Sequence, residues 1–263
     1  MNVDALLTLA RTAATHAGRR VLTHYGDHTF EMKDDNTPVT KADTDAHETI
    51  ISLLEESEIP VLSEESLTLF APYPSLMWVV DPLDGTKGFI NKTGDFAVMI
   101  ALLSDGRPLL SVVDAPYMEK QYYALSSGGA FVVDKDGERR LRVSTRIAPH
   151  SRGLMSVNHA APYMSRVMET LAVSEVVSIG SVGIKAGYIA EDKADFYVSR
   201  GALGEWDVCA PELILIEAGG SVTDEYGQLL SYGNTDHRIK HGLILSNNAC
   251  HEEVICALKD IER

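Results

Sequence analysis

Apolar residues near the start of the chain recur at three- and four-residue steps, the spacing of one face of an α-helix. The positions that carry this pattern are Leu6, Ala10, Ala13, Ala17, Val21 and Tyr25. We expect this helix to end at Gly26. A second helix is predicted to begin around Thr40 and Asp43, whose three-residue spacing is typical of a capping box, and to end before Pro60.

Short β-rich runs replace the helical pattern in the middle of the chain. A short strand is predicted at 61–62, before the polar segment "SEES". Further strands are predicted at 77–80, 96–103, 109–115, 122–125 and 130–133. Several of them are separated by the turn dipeptides Asp105-Gly106, Gly128-Gly129 and Asp136-Gly137. These dipeptides indicate hairpins, so neighbouring strands are expected to pair in antiparallel fashion.

Strand-like and helix-like segments alternate after about residue 150, as in an α/β layer. Strands are predicted at 154–157, 176–179, 196–198 and 243–245. Each precedes a helix, near 160–172, 182–191, 207–218 and the end of the chain respectively. With no internal repeat or linker in view, we predict an α+β half over 1–145 that packs on an α/β half over 146–263, with the boundary near 140–150.

Charge and composition exclude several classes of protein. The formal net charge of the 263-residue chain is −15, which argues against nucleic acid or an anionic membrane as the main partner. Three cysteines without a CxxC pair make a disulfide framework or zinc knuckle improbable and favour a reducing compartment. The N-terminal segment resembles a helix rather than a signal peptide, and no run approaches the roughly 18 apolar residues of a membrane span. We therefore expect a cytoplasmic protein with no integral membrane segment.

Two aspartates crowd the predicted end of a buried strand in "WVVDPLDGTKGF". Asp81 is expected to end the strand because Pro82 has no N–H for the ladder. Asp84 follows three positions later, and the Leu83 carbonyl lies between them. These oxygens suit a hard divalent cation. In the alternative interpretation, Asp81 and Asp84 only accept N–H groups of the turn.

The spacing in this segment excludes two familiar aspartate motifs. An EF-hand loop that began at Asp81 would need Glu at its twelfth position, where the chain has Lys92. The DxDGT motif of aspartyl-phosphate enzymes has its aspartates two apart, and here they are three apart.

Further acidic residues lie at the ends of predicted elements. Glu64 and Glu65 follow a strand in "VLSEES", Asp207 precedes a helix in "EWDVCAPE", and Asp43 begins a helix in "VTKAD". Taken singly, Asp43 and Asp207 fit helix N-caps and Glu65 fits a solvated charge. Taken together, the segments form a candidate cation site.

In order and spacing, "VLSEES", "WVVDPLDGTKGF" and "WDVCAPELILIEAGGSVTD" resemble the signatures of the inositol monophosphatase and fructose-1,6-bisphosphatase superfamily. The resemblance covers roughly residues 5–260. It implies a five-layered αβαβα sandwich, of mixed α+β and α/β class. It also implies a Mg²⁺-dependent phosphatase that acts on a small-molecule phosphate ester, as a monomer or homodimer.

The resemblance also implies roles for individual residues. The implied metal ligands, for a cluster of about two or three Mg²⁺ ions, are Glu64, Asp81, Asp84, Asp207 and the Leu83 carbonyl. Asp43 paired with Thr86 is implied to activate the attacking water, with Glu64 as the alternative base. The implied substrate contacts are Gly85, Thr86, Gly180, Ser181, Lys185 and Asp207. Inhibition by Li⁺ is a further implied property.

Three features resemble the 3'(2'),5'-bisphosphate nucleotidase branch, which acts on 3'-phosphoadenosine 5'-phosphate (PAP). They are Lys87 in "DGTKGF", the segment "WDVCAPE", and Lys185 close to Gly180-Ser181, where its charge suits a second phosphate. A solvated helix lysine is the alternative for Lys185. The chain departs from this branch at Gly88, where Glu is usual.

Two alternatives to the nucleotidase stay open. One is an inositol monophosphatase or broad sugar-phosphate phosphatase of the same fold. The other is a non-catalytic cation-buffering or scaffold protein, for which a paired Asp43 and Thr86 would have no use.

Overall fold

The structure, a computed structural model, describes residues 2–26, 30–32, 38–66, 70, 72–157, 162–234 and 236–261. Its helices are α1 (Val3–Thr23), α2 (Lys41–Leu54), α3 (Thr86–Ile90), α4 (Pro162–Thr170), α5 (Val182–Ala190), α6 (Glu205–Glu217) and α7 (His251–Lys259). The strands in the first half are β1 (Phe30–Met32), β2 (Pro38–Thr40), β3 (Val61–Ser63), β4 (Leu76–Asp84), β5 (Ala97–Ser104), β6 (Arg107–Ala115), β7 (Lys120–Leu125), β8 (Gly129–Asp134) and β9 (Gly137–Arg140). Those in the second half are β10 (Arg152–Met155), β11 (Glu175–Ser178), β12 (Phe196–Ser199), β13 (Leu203–Gly204), β14 (Ser221–Thr223), β15 (Arg238–Ile239) and β16 (Leu243–Ser246).

The larger sheet runs in the order β3-β4-β5-β6-β7-β8-β9. Its strands pair in antiparallel fashion except for β3 and β4, which are parallel. The hairpin turns predicted from the sequence are confirmed. In the turn between β5 and β6, Asp105 and Gly106 both have positive φ (49° and 73°), as the tight turns of hairpins require.

The predicted end of β4 is wrong, because this strand continues through Pro82 to Asp84. Asp81 pairs with Met99 and Asp84 with Ala97, so three steps on β4 oppose two on β5 and the register shifts between them. The neighbour on the other side, β3, ends at Ser63. Pro82 therefore lies in a bulge, where its missing N–H interrupts no regular ladder.

The smaller sheet runs in the order β11-β10-β12-β16-β14. The β10 strand is parallel to both β11 and β12, while β16 is antiparallel to β12 and β14. The predicted alternation of strands and helices is present, although the sheet is mixed. The predicted start of α4 at 160–161 lies outside the described residues, which resume at Pro162.

Helices and sheets alternate in five layers. Alternate residues of the larger sheet, including Trp78, Val80 and Val98, pack against α1 and α2 in one core cluster. Their neighbours, including Met77 and Val79, pack with α5, α6 and the inner face of the smaller sheet in a second. The outer face of the smaller sheet packs with α4 and α7. The predicted αβαβα sandwich is thus confirmed.

The end helices follow the predictions closely. α1 buries Ala10, Ala13 and Ala17 completely, and these small side chains let the helix lie close to its neighbours.

All three cysteines carry free thiols. Among the helices of the described residues, none has the length and apolar character needed to cross a membrane.

Candidate active site

Three aspartates converge where β4 ends and α6 begins. One carboxylate oxygen from each of Asp81, Asp84 and Asp207 lies within 4.8 Å of the others. Asp81 and Asp84 flank the β4 bulge, whereas Asp207 stands in the first turn of α6. Asp81 is 1% exposed and Asp84 is 8% exposed. The two halves of the chain therefore both contribute to one largely buried cluster of carboxyl groups.

Backbone and hydroxyl groups hold each of these carboxylates by one oxygen. Asp81 Oδ1 accepts the Leu83 N–H at 2.9 Å. Asp84 Oδ2 accepts the Ser181 hydroxyl at 2.5 Å and the Gly183 N–H at 2.9 Å. Asp207 Oδ2 accepts the N–H of Gly204, the N-cap of α6, at 2.6 Å, so Asp207 is not itself the N-cap but stands three residues after it. These bonds orient each of the three carboxylates through one of its oxygens.

The electrostatics of the cluster favour a bound cation. Burial raises the pKa of Asp81 well above its usual value, and the charges of Glu64, Asp84 and Asp207 raise it further. Burial, with the charges of Glu64 and Asp84, raises the pKa of Asp207 to about 8. Burial also raises the pKa of Asp84, against the hydrogen bonds from Ser181 and Gly183. Such a set of hard oxygen donors, costly to ionise alone, fits a divalent ion such as Mg²⁺.

Glu64 lies in the turn after β3, beside the cluster. Its N–H donates to the Val80 carbonyl at 3.1 Å, which continues the pairing of β3 with β4. Its charge acts on Asp81 and Asp207, although Glu64 does not belong to the group of oxygens that lie within 4.8 Å of one another. Its role as a ligand, like that of the Leu83 carbonyl, stays a prediction.

Asp43 and Thr86 meet beside the metal candidates. Asp43 Oδ2 caps α2 by accepting the Thr40 N–H at 2.7 Å and the Thr40 hydroxyl at 2.6 Å. The Thr86 hydroxyl lies 3.3 Å from Asp43 Oδ1 and 3.1 Å from the Leu83 carbonyl. Burial raises the pKa of Asp43 to about 6 against the bonds from Thr40. Thr40 is the N-cap of α2, so Asp43 is not the N-cap but the acidic residue of the predicted capping box, and it is also a partner of Thr86.

Gly85 makes the turn that presents Thr86. Its φ of +88° lies in the left-handed region, and a Cβ there would come 2.8 Å from the Asp95 carbonyl oxygen. Only glycine fits both constraints. Gly85, Thr86 and Gly180 are partly exposed, as the predicted substrate contacts require, whereas Ser181 is fully buried.

The structure contradicts one of the two predictions made for Lys185. The alternative of a solvated helix lysine is wrong, because the residue is 0% exposed. Its Nζ donates to the Gly180 carbonyl at 2.9 Å and to Ser156 Oγ at 3.0 Å, and it lies 4.3 Å from the centre of the Tyr197 ring. Burial lowers its pKa to about 8. A contact between Lys185 and the substrate stays a prediction.

One buried residue of the site escaped the sequence analysis. Asp95 is 6% exposed and accepts hydrogen bonds from the Gly180 N–H and the Thr93 hydroxyl. It stands directly before a hydrophobic strand, where a charged residue is usually a turn residue. The sequence offers no motif that distinguishes such a turn residue from a buried acceptor for a distant N–H.

Comparisons with known proteins agree over almost the whole chain. The family model described as "Inositol monophosphatase family" matches residues 2–263. A Shigella flexneri protein named "3'(2'),5'-bisphosphate nucleotidase CysQ" is 35% identical over 93% of this chain and 99% of its own length. An Aggregatibacter actinomycetemcomitans protein of the same name is 34% identical over 82% of this chain and 83% of its own length.

Solved structures show the same architecture. The structure of CysQ from Bacteroides thetaiotaomicron superposes with a TM-score of 0.80 at 30% identity, covering 93% of this chain and 98% of the other. A Thermotoga maritima IMPase superposes with a TM-score of 0.84 at 25% identity, covering 97% of each chain.

Proposed function

Because this chain belongs to the inositol monophosphatase family, we propose that it is a Mg²⁺-dependent phosphatase that removes the 3'-phosphate of PAP, giving AMP and inorganic phosphate. The cluster of Asp81, Asp84 and Asp207, with oxygens within 4.8 Å of one another, is the observation that carries the proposal. The relatives named 3'(2'),5'-bisphosphate nucleotidase support the choice of substrate.

Asp81, Asp84 and Asp207 would hold Mg²⁺, with Glu64 and the Leu83 carbonyl as further proposed ligands. When bound, Mg²⁺ supplies positive charge beside the phosphoryl oxygens and the attacking water. The protein keeps three ligand carboxylates ready for this role by fixing one oxygen of each through hydrogen bonds. The ligands are therefore ordered before the cation binds, which favours binding.

Thr86 and Asp43 would handle the proton of the attacking water. The Thr86 hydroxyl has one hydrogen, which it shares between Asp43 Oδ1 and the Leu83 carbonyl, and its lone pairs can accept a hydrogen bond from water. Asp43, with its pKa of about 6, is a base of suitable strength near neutral pH. Glu64 is the alternative acceptor. The amides of Gly85 and Thr86 are proposed to meet the phosphate.

Hydrolysis of inositol 1-phosphate is the second candidate. Lys185, the cation that the sequence offered for a second phosphate, is fully buried and bonded to Ser156 and Gly180. The chain also superposes on the Thermotoga maritima IMPase with a TM-score of 0.84.

Release of inorganic phosphate from PAP and from inositol 1-phosphate, each with Mg²⁺ and with EDTA, tests the proposal. We expect Mg²⁺-dependent release with a preference for PAP. A preference for inositol 1-phosphate would keep the metal site and replace the substrate. Release from neither, by a folded protein that Mg²⁺ does not stabilise, would favour a non-catalytic scaffold. An Asp84→Asn variant is the control for contaminating phosphatase.

A further inference from the structure

Asp95 connects the two halves of the site through its side chain. It lies in the segment between α3, which begins at Thr86, and β5. One oxygen accepts the Gly180 N–H and the other accepts the Thr93 hydroxyl. Gly180 stands 85 positions further along the chain. The Asp95 carboxylate therefore joins the segment before β5 to the segment before α5.

Three glycines make room for Asp95, two beside its carboxylate and one beside its backbone carbonyl. A Cβ on Gly88 would lie 2.5 Å from Asp95 Oδ1, and one on Gly180 would lie 2.8 Å from Asp95 Oδ2. A Cβ on Gly85 would lie 2.8 Å from the Asp95 carbonyl oxygen. Real Cβ atoms do not approach other atoms so closely, so a side chain at any of these positions would displace Asp95 or its backbone.

Lys185 binds the backbone carbonyl of Gly180, the residue whose N–H binds Asp95. While Asp95 accepts the Gly180 N–H, the Lys185 ammonium donates to the Gly180 carbonyl at 2.9 Å. Both peptide groups of Gly180 are thus bound by buried charged side chains. Hydrogen bonds to charged groups are stronger than those between neutral groups, so the position of Gly180 is tightly determined.

The residue after Gly180 fixes a ligand carboxylate. Ser181 caps α5 by accepting the Ile184 N–H at 3.1 Å and donates to Asp84 Oδ2 at 2.5 Å. The Gly183 N–H binds the same oxygen. Asp84 therefore takes its orientation from the start of α5, and the start of α5 follows Gly180.

We propose that Asp95 and Lys185 form a clamp on Gly180 that positions Ser181 and, through it, the ligand carboxylate Asp84. The clamp rests on the proposed function, since it concerns a Mg²⁺ ligand. Asp95 and Lys185 are positioning residues, because neither is one of the three aspartates whose oxygens would touch the cation. Loss of the clamp should lower the affinity for Mg²⁺ even where the protein still folds.

The test compares Mg²⁺ binding by wild type, Asp95→Asn and Asp95→Ala without substrate. Melting temperature is measured against Mg²⁺ concentration, and the midpoint of the stabilisation is read for each protein. Partners that orient metal ligands typically contribute about 10- to 100-fold to affinity, so the Asp95→Ala midpoint should rise by that factor. Asp95→Asn keeps an acceptor for the Gly180 N–H and should show a smaller rise.

Two control variants separate the clamp from general destabilisation. Asp114→Asn makes the same substitution at another buried aspartate, which contacts Gln121 and α1 rather than the site. Thr93→Val removes a partner of Asp95 but leaves the bond to Gly180. Both should keep the wild-type Mg²⁺ midpoint.

The outcomes distinguish the clamp from the function on which it rests. Lower melting temperatures for the Asp95 variants at an unchanged Mg²⁺ midpoint would overturn the clamp. A wild-type protein that Mg²⁺ neither stabilises nor activates would overturn the proposed function, and the clamp with it. If Asp95→Ala does not fold, the Asp95→Asn midpoint alone decides, because an unchanged value contradicts the clamp.

Discussion

The Thr86 hydroxyl lies 3.3 Å from Asp43 Oδ1, although the two residues are 43 positions apart. The contact joins the first turn of α2 to the turn that follows the β4 bulge. Asp43 has its other oxygen bound at the cap of α2, so the carboxylate cannot rotate freely. A fixed acceptor beside a hydroxyl, next to three candidate metal ligands, is an arrangement suited to proton transfer.

Removal of either partner should disable catalysis without removing the metal site. Since a positioned base typically contributes about 10²- to 10⁴-fold, Asp43→Asn and Thr86→Ala should each lower kcat by that factor. The measurement is kcat at saturating Mg²⁺. The double variant should be little worse than either single one, because the two residues act as a unit. Thr86→Ser, which keeps the hydroxyl, is the matched control, and full activity in Thr86→Ala would contradict the assignment.

Stability without Mg²⁺ should fall as pH rises. The pKa of Asp207 is about 8 and that of Asp43 about 6 in the folded protein, both above the ordinary value of 3.8. Between about pH 4, where the unfolded aspartates ionise, and about pH 8, the folded state binds more protons than the unfolded state. The free energy of unfolding therefore decreases as pH rises through this range. Melting temperatures in EDTA should show this decrease.

Added Mg²⁺ should reverse that decrease, because the cation replaces the protons that the cluster loses. We expect the gain in melting temperature to be larger at about pH 8 than at about pH 5. Asp114, whose pKa burial raises to about 7, adds a decrease that Mg²⁺ does not reverse. Repeating the series with Asp114→Asn removes that contribution. An equal gain at both pH values would count against a cation held by these carboxylates.

Position 88 should not tolerate a side chain. Because a Cβ there would lie 2.5 Å from Asp95 Oδ1 and 3.0 Å from Thr93 Oγ1, Gly88→Ala should cost about 1–3 kcal/mol of stability by overpacking. Denaturant unfolding measures this cost. Gly201→Ala is the control, since a Cβ on Gly201 meets nothing within 4 Å. Equal stability of the two variants would show that Asp95 moves easily.

Lys185→Met should lower kcat/KM for PAP and for inositol 1-phosphate by a similar factor. The side chain is fully buried, so its loss disturbs Gly180 rather than a substrate contact. The ratio of the two kcat/KM values is the quantity to measure. A selective loss of activity on PAP would instead mean that Lys185 reaches the second phosphate after a rearrangement.

Elements with a single strong periodicity were predictable from the sequence. The alanine-rich face of α1, the capping box at Thr40 and Asp43, and the Asp105-Gly106 hairpin are all present. These features depend on contacts a few residues apart, which a sequence displays directly. The predicted ligand set came from the family resemblance that several motifs carry together, since Asp207 alone is indistinguishable from an ordinary helix-capping residue.

Features that depend on distant contacts were missed. A proline usually ends a strand, but β4 continues through Pro82 because this residue lies in a bulge opposite β5 and past the last paired residue of β3. Lys185 lies in a helix enclosed by two sheets, whose residues are buried on almost every side, so no polar face marked its environment. Asp95 serves Gly180, a partner 85 positions away, which no local pattern reveals.

The Ser181–Asp84 contact has a consequence for biosynthesis. The first 145 residues contain Asp43, Asp81, Asp84 and Thr86, but Asp84 receives its support from α5 and its companion Asp207 from α6. A nascent chain emerges from its N-terminus, so the seven-stranded sheet can form while the cation site is still incomplete. The proposed Mg²⁺ ion would then bind only after translation past α6, and we expect ribosome-bound chains truncated before Asp207 not to retain it.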